Sequence, residues 1–139
     1  MFNHILVPID LSDRQGRILR MARELASQSH ARVTLLHVIH QVAALPPAEL
    51  RGFYQRLVKA SRRRLALAAK PFDAKGVPVR AEVCIGEPAR EIVRVAAVKK
   101  IDLLVMGSHK VKPRRGMRGW GTTSYKVGLF CQCPVLLVK

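Results

Sequence analysis

The stretch IDLLVMGSHKVKPRRGMRGWGTTS, residues 101–124, joins an apolar run to a glycine-rich basic loop and a helix start. Ile101 to Met106 reads as a buried strand. The loop after it carries glycines at 107, 116, 119 and 121 and cations at Lys110, Lys112, Arg114, Arg115 and Arg118. Thr122, Thr123 and Ser124 then supply three hydroxyls where the next helix begins. Glycines let backbone N–H groups come close to a ligand, and a helix amino terminus leaves donors unpaired beside a partial positive charge. The unit reads as strand, phosphate loop and helix, and such a unit implies an α/β fold.

Working outward, strands and helices keep alternating. Ile5 to Ile9 is a short apolar run ending in Asp10, the first strand. Ser12 caps the next helix, with Gln15 three residues on completing a capping-box pattern, and Ile18, Leu19, Ala22, Leu25 and Ala26 recur on one helical face. Val33 to Ile39 is the second strand. Pro46 and Pro47 open a long helix with Leu50, Phe53, Leu57 and Ala60 on one side. Val77 to Ile85 alternates, Arg80 and Glu82 facing away from Val79, Ala81 and Val83, which suggests an edge strand. Gly86-Glu87-Pro88 turns into a helix whose buried face is Ala89, Ile92, Val93 and Ala96, proline being suited to a first turn. After the 101–106 strand, a helix from Thr122 to Cys131 leads to a last strand, Pro134 to Val138.

Five strands alternating with four helices predict a Rossmann-like open parallel sheet with right-handed crossovers and helices on both faces. Ligands in such sheets bind beyond the carboxyl ends of the strands, where strand order reverses. An order 3-2-1-4-5 brings Pro8-Ile9-Asp10 beside the segment that starts at Gly107. Nothing in the chain suggests a linker or repeat, so 1–139 is one domain.

Composition narrows the function. Of 139 residues, 49% are hydrophobic, enough for a real core in a single domain. No apolar run approaches the roughly 18–20 residues of a membrane span, and the amino end lacks signal-peptide features, so a cytoplasmic protein is expected. The three cysteines, Cys84, Cys131 and Cys133, are too few for a disulfide framework. Cys131-Gln132-Cys133 has no second pair and no nearby histidine, so zinc is not expected and buried or half-buried free thiols are. Twenty-five Lys/Arg against nine Asp/Glu give a net charge of +16, which attracts polyanions without identifying one. Aromatic residues are few and stand apart from the basic clusters, which argues against base-stacking on single strands.

Six pieces in order carry a resemblance: ILVPID-LS at the start, LLHVI in the second strand, GEPAREIV, DLLVMGSH, GTTS, and CPVLLVK at the end. Together they make the chain similar to the universal stress protein family, adenine-nucleotide-binding domains of the α/β type. The resemblance implies a stress-response regulatory module, at most a slow ATPase, whose ligand is ATP or another adenine nucleotide with magnesium as its accompanying ion. It also implies a homodimer formed through the last strand, antiparallel across a two-fold axis.

Nucleotide-binding members of that family carry glycine, two residues, glycine, nine residues, then glycine and Ser/Thr. Gly107 fits the first position, Gly121-Thr122 the last pair, and Ser124 the hydroxyl that follows. Lys110 stands where the second glycine belongs, and ten residues separate it from Gly121. Two readings follow. Lys110 and its basic neighbours replace backbone donors with charge and still hold a phosphate. Alternatively, the loop is reshaped into a nucleotide-free interaction surface for an acidic protein or nucleic acid.

The resemblance assigns Asp10 to the ribose, the phosphates or a divalent ion, but Asp10 also reads as a turn carboxylate for the helix at Ser12. Val38 matches a position whose backbone meets adenine. Met106 matches one flanking it, yet a methionine closing an apolar strand also reads as core. His109 can bond a phosphate, though no carboxylate lies nearby in sequence to orient it as a base. His37 reads as a satisfied core histidine, and Arg62-Arg63-Arg64 as a solvated helix face. No complete catalytic constellation is present.

Overall fold

The computed structural model describes residues 1–41, 47–108 and 122–139. Its elements are β1 (His4–Pro8), a 3₁₀ turn (Asp13–Gln15), α1 (Gly16–Ser29), β2 (Arg32–His40), α2 (Pro47–Ala74), β3 (Val79–Gly86), α3 (Pro88–Val98), β4 (Leu103–Gly107), α4 (Thr123–Phe130) and β5 (Val135–Val138). All strand pairings are parallel, in the order β3-β2-β1-β4-β5. The expected sheet and both expected edges, β3 and β5, are present.

Each central strand is apolar on both faces because both faces are covered. Ile5, Val7, Val33, Leu35, Leu103 and Val105 point to one side, packing with Ala22 and Ala26 of α1 and Leu65 and Phe72 of α2. Leu6, Leu36, Leu104 and Met106 point to the other, against Ala89, Ile92, Val95 and Ala96 of α3 and Val127 of α4. The period-two alternation of the strands thus sorts one apolar run into two cores.

Two local expectations need correction. The apolar face of α2 does not continue from Leu57 to Ala60, which is exposed; it steps to Ser61, Leu65 and Phe72, so the buried half of α2 lies beyond the stripe read from sequence. The capping box at Ser12 is not closed by Gln15. Ser12 Oγ accepts from the Arg14 N–H at 3.4 Å, but the Ser12 N–H donates to Asp10 Oδ1 at 2.9 Å. Gln15 Nε2 donates to that same Oδ1 at 3.0 Å. Asp10 sits two residues upstream and reaches the donors first.

Candidate functional site

β1 and β2 pair along the whole of β1, from His4 with Arg32 to Pro8 with Leu36. β1 and β4 pair at Ile5 with Leu103 and at Leu6 with Leu104. The carboxyl ends of the two strands, Val7-Pro8 and Val105 to Gly107, lie beyond that last pair. This is where the direction of strand progression reverses, the place a parallel sheet offers a ligand. β5 runs parallel to β4, so α4 must run back against both and start at this same end of the sheet.

The β1 side is a fixed loop. The Ile9 N–H donates to the Leu36 carbonyl at 2.8 Å, and His37 Nδ1–H donates to the Ile9 carbonyl at 2.8 Å. Leu11 is held at φ 62°, a left-handed conformation that leucine adopts at a cost. Arg64 of α2 compensates by donating from its guanidinium to the Leu11 carbonyl. Asp10 is exposed between these anchors. Partial burial pushes its pKa up, but the hydrogen bonds from Ser12 and Gln15 outweigh that and hold the carboxyl below its ordinary value. It is an anion at neutral pH, with Oδ1 committed to the turn.

The β4 side ends in Met106 and Gly107. Met106 is buried in the α3–α4 core, so its side chain serves packing. A Cβ added at Gly107 would stand 2.7 Å from Ile18 Cδ1 of α1. Glycine here has a packing cause of its own, independent of a ligand. The chain continues through the Ser108 N–H, which donates to the Val138 carbonyl at 2.9 Å. Val38 is half-buried on β2, against the same core as Met106. Pro8 and Ile9 are buried where β1 ends.

At the start of α4, Thr122 is the N-cap, its Oγ1 accepting from the Tyr125 N–H at 3.3 Å. Thr123 is the first helical residue, and Ser124 Oγ lies 3.5 Å from Thr122 Oγ1. The N–H groups of Thr123 and Ser124 have no partner among the described residues, the condition under which a helix start takes an anion. The expectations for His109, Lys110 and Gly121, and for the cations through Arg118, lie outside the described residues.

The strand ends and the α4 start thus collect Pro8, Ile9, Asp10, Met106, Gly107, Thr122, Thr123 and Ser124 at one end of the sheet. Sequence reasoning missed Ile18, which closes on Gly107, and Arg64, which pins the β1 loop. Arg64 is 53 residues from its acceptor, and no local pattern marks it. His37 is satisfied, as expected, but its acceptor is the site loop itself. No trio of His, Cys, Asp or Glu able to hold a metal occurs among the described residues. A groove of about 800 Å³ lies elsewhere, along Tyr54, Val58, Arg62 and Ala66 of α2 and Ile85 of β3.

The family model described as "Universal stress protein family" matches residues 1–139. "Universal stress protein YxiE" of Bacillus subtilis is 32% identical over 150 residues, covering 100% of both chains. Among solved structures, a universal stress protein in complex with cAMP matches with a TM-score of 0.78 and 21% identity, over 99% of this chain and 97% of that one. The universal stress protein of Archaeoglobus fulgidus in complex with dAMP matches with a TM-score of 0.71 and 21% identity, over 99% and 98%. The structural likeness establishes the fold, and the nucleotides belong to those proteins. No helix among the described residues is long and apolar enough to cross a membrane.

Proposed function

The chain belongs to the universal stress protein family, and on that premise we propose that it is a regulatory module binding an adenine nucleotide between the carboxyl ends of β1 and β4. The observation that carries this reading is the parting of those two strands beyond Leu6 and Leu104, at the sheet end where α4 begins with N–H groups that have no partner among the described residues. The complexes of relatives with cAMP and dAMP support the ligand class: both pair adenine with a single phosphate. The first turn of α4, with Ser124, would receive that phosphate, and Asp10 Oδ2 would accept from a sugar hydroxyl. Magnesium forms no part of the proposal. Nor does hydrolysis.

Displacement of a fluorescent adenine nucleotide from nucleotide-stripped protein tests this. ATP, AMP and cAMP should displace it and GTP should not. Asp10→Ala should weaken binding about tenfold, the effect of losing one hydrogen bond to a charged group. Displacement by every nucleotide alike, or by none, would oppose an adenine site.

Lys110 in place of the family's second glycine, with ten residues before Gly121, favours a second reading. In it the chain is a nucleotide-free module whose basic loop docks an acidic protein or nucleic acid. Restoring Gly at 110 and deleting one loop residue separates the two. Nucleotide affinity should rise several-fold if the loop sequence is what weakens the site, and stay unchanged if the site is closed elsewhere. Under either reading the chain works as a homodimer through β5, whose Leu136 and Leu137 are exposed.

A further inference from the structure

Cys131 and Cys133 flank Gln132 between α4 and β5, and their sulfurs lie 3.3 Å apart. Both ends of this short segment are anchored. The Cys131 N–H closes α4 by donating to the Val127 carbonyl at 2.9 Å, and the Pro134 carbonyl accepts from Leu104 of β4 at 3.0 Å. Between the anchors the chain bends at Gln132 and Cys133, and the bend turns the two thiols onto one another. Both residues are half-buried and pack against the α3 core. A cavity of about 230 Å³ is bounded by Val93, Ala97, Lys100 and the two cysteines. Cys84, the third thiol, lies on β3 at the opposite edge of the sheet from β5.

We propose that Cys131 and Cys133 form a dithiol site that is oxidised to an internal disulfide by exchange with a low-molecular-weight disulfide. In the first step the Cys131 sulfur, its proton released to solvent, attacks the small disulfide R–S–S–R. A Cys131–S–S–R bond forms, the R–S–S–R bond breaks, and the departing thiolate takes up a proton. In the second step the Cys133 sulfur, deprotonated in turn, attacks Cys131 Sγ in the mixed disulfide and expels the second R–S⁻. The protein gives up two electrons and two protons, and the small disulfide receives them as two thiols. A thiol already in contact with its target resolves the mixed disulfide without a bimolecular encounter.

Order follows from the surroundings. Burial, then the hydrogen bond with Cys131 and the charge of Cys131, push the Cys133 thiol up to about 12, which suits it to the second, intramolecular step, where contact replaces encounter. Once Cys131 is capped, the last two of those influences disappear and Cys133 ionises more readily.

The test is equilibration of the reduced, full-length protein with mixtures of oxidised and reduced glutathione, followed by trapping with iodoacetamide and intact-mass analysis. The oxidised wild type should be two hydrogens lighter, monomeric in covalent terms, free of glutathione, and alkylated once, at Cys84. Cys133→Ser, unable to resolve, should instead accumulate a glutathione adduct at Cys131. The wild-type mass alone decides the matter should a variant fold poorly. Three alkylatable thiols at every ratio, a stable glutathione adduct on the wild type, or cross-linked chains would each overturn the proposal.

Discussion

At Gly107 two explanations for one glycine make different demands. If close packing matters, the fault in Gly107→Ala is the contact of its new Cβ with Ile18 Cδ1. The variant should lose about 1 kcal/mol, the low end of overpacking costs, because a side-chain terminus can shift. Ile18→Val removes the offending carbon, so the double variant should be less destabilised than the two single changes summed, by about 0.5 kcal/mol or more. Urea unfolding of the four proteins measures this, and strict additivity would refute the contact. His4 provides a second residue-scale test at the opposite end of β1. Its Nε2 shares a hydrogen bond with Thr34 Oγ1 at 2.8 Å, and Nδ1 is buried with no hydrogen bond of good geometry among the described residues. Burial first, then the charges of Arg32 and Lys99, lower its pKa from the ordinary 6.5 against the opposing pull of Asp102. The folded chain therefore refuses a proton that the unfolded chain accepts. Stability should be intact above about pH 6.5, fall as the pH drops below it, and stop falling from this cause once the lowered folded value is passed. In His4→Gln, urea midpoints should lose that component of the pH dependence.

Among the elements, α1 shows how a helix can be legible in its face and obscure at its ends. Ile18, Leu19, Ala22, Leu25 and Ala26 were readable because helical spacing repeats, and all five pack in the core. The start was misread because a capping box and an aspartate turn compete for the same donors, and sequence spacing does not rank them. At the other end the C-cap is His30, exposed at φ 54°, its N–H donating to the last turn. Glycine adopts that conformation without the Cβ penalty, so His30→Gly should stabilise the protein by about 0.5–1 kcal/mol, seen as a higher urea midpoint. A lower midpoint would mean that His30 makes contacts the helix end depends on. The site loop obeys the same logic of distant support. Arg64 bonds the Leu11 carbonyl from another element, so Arg64→Ala should loosen the loop and cost about 1 kcal/mol, with faster amide exchange at Asp10 to Ser12.

For the whole molecule, strand order and the two-sided sheet were legible because alternating elements and parallel pairing leave few topologies open. The candidate site was legible only where a strand end or a helix cap defines it, as at Asp10 and Thr122. His37 and Arg64 act on it from β2 and α2, through contacts that only the folded chain brings about. Assembly is a property of the same scale. Leu136 and Leu137 lie exposed on the edge strand β5, the arrangement that invites strand pairing between copies. Replacing both by Glu should convert a dimer into a monomer by light scattering, and an unchanged mass would move the interface elsewhere. The net charge of +16 speeds the approach of any polyanion, so weak nucleic-acid binding that collapses with salt would reflect charge alone. The central claim is an adenine-nucleotide site between β1 and β4, and isothermal titration of nucleotide-stripped protein with ATP and with AMP at physiological salt tests it most directly. The account predicts saturable micromolar binding of both, weakened by Asp10→Ala and by Ser124→Ala. No heat with either nucleotide at millimolar concentration would contradict it and leave the basic loop as a surface for another partner.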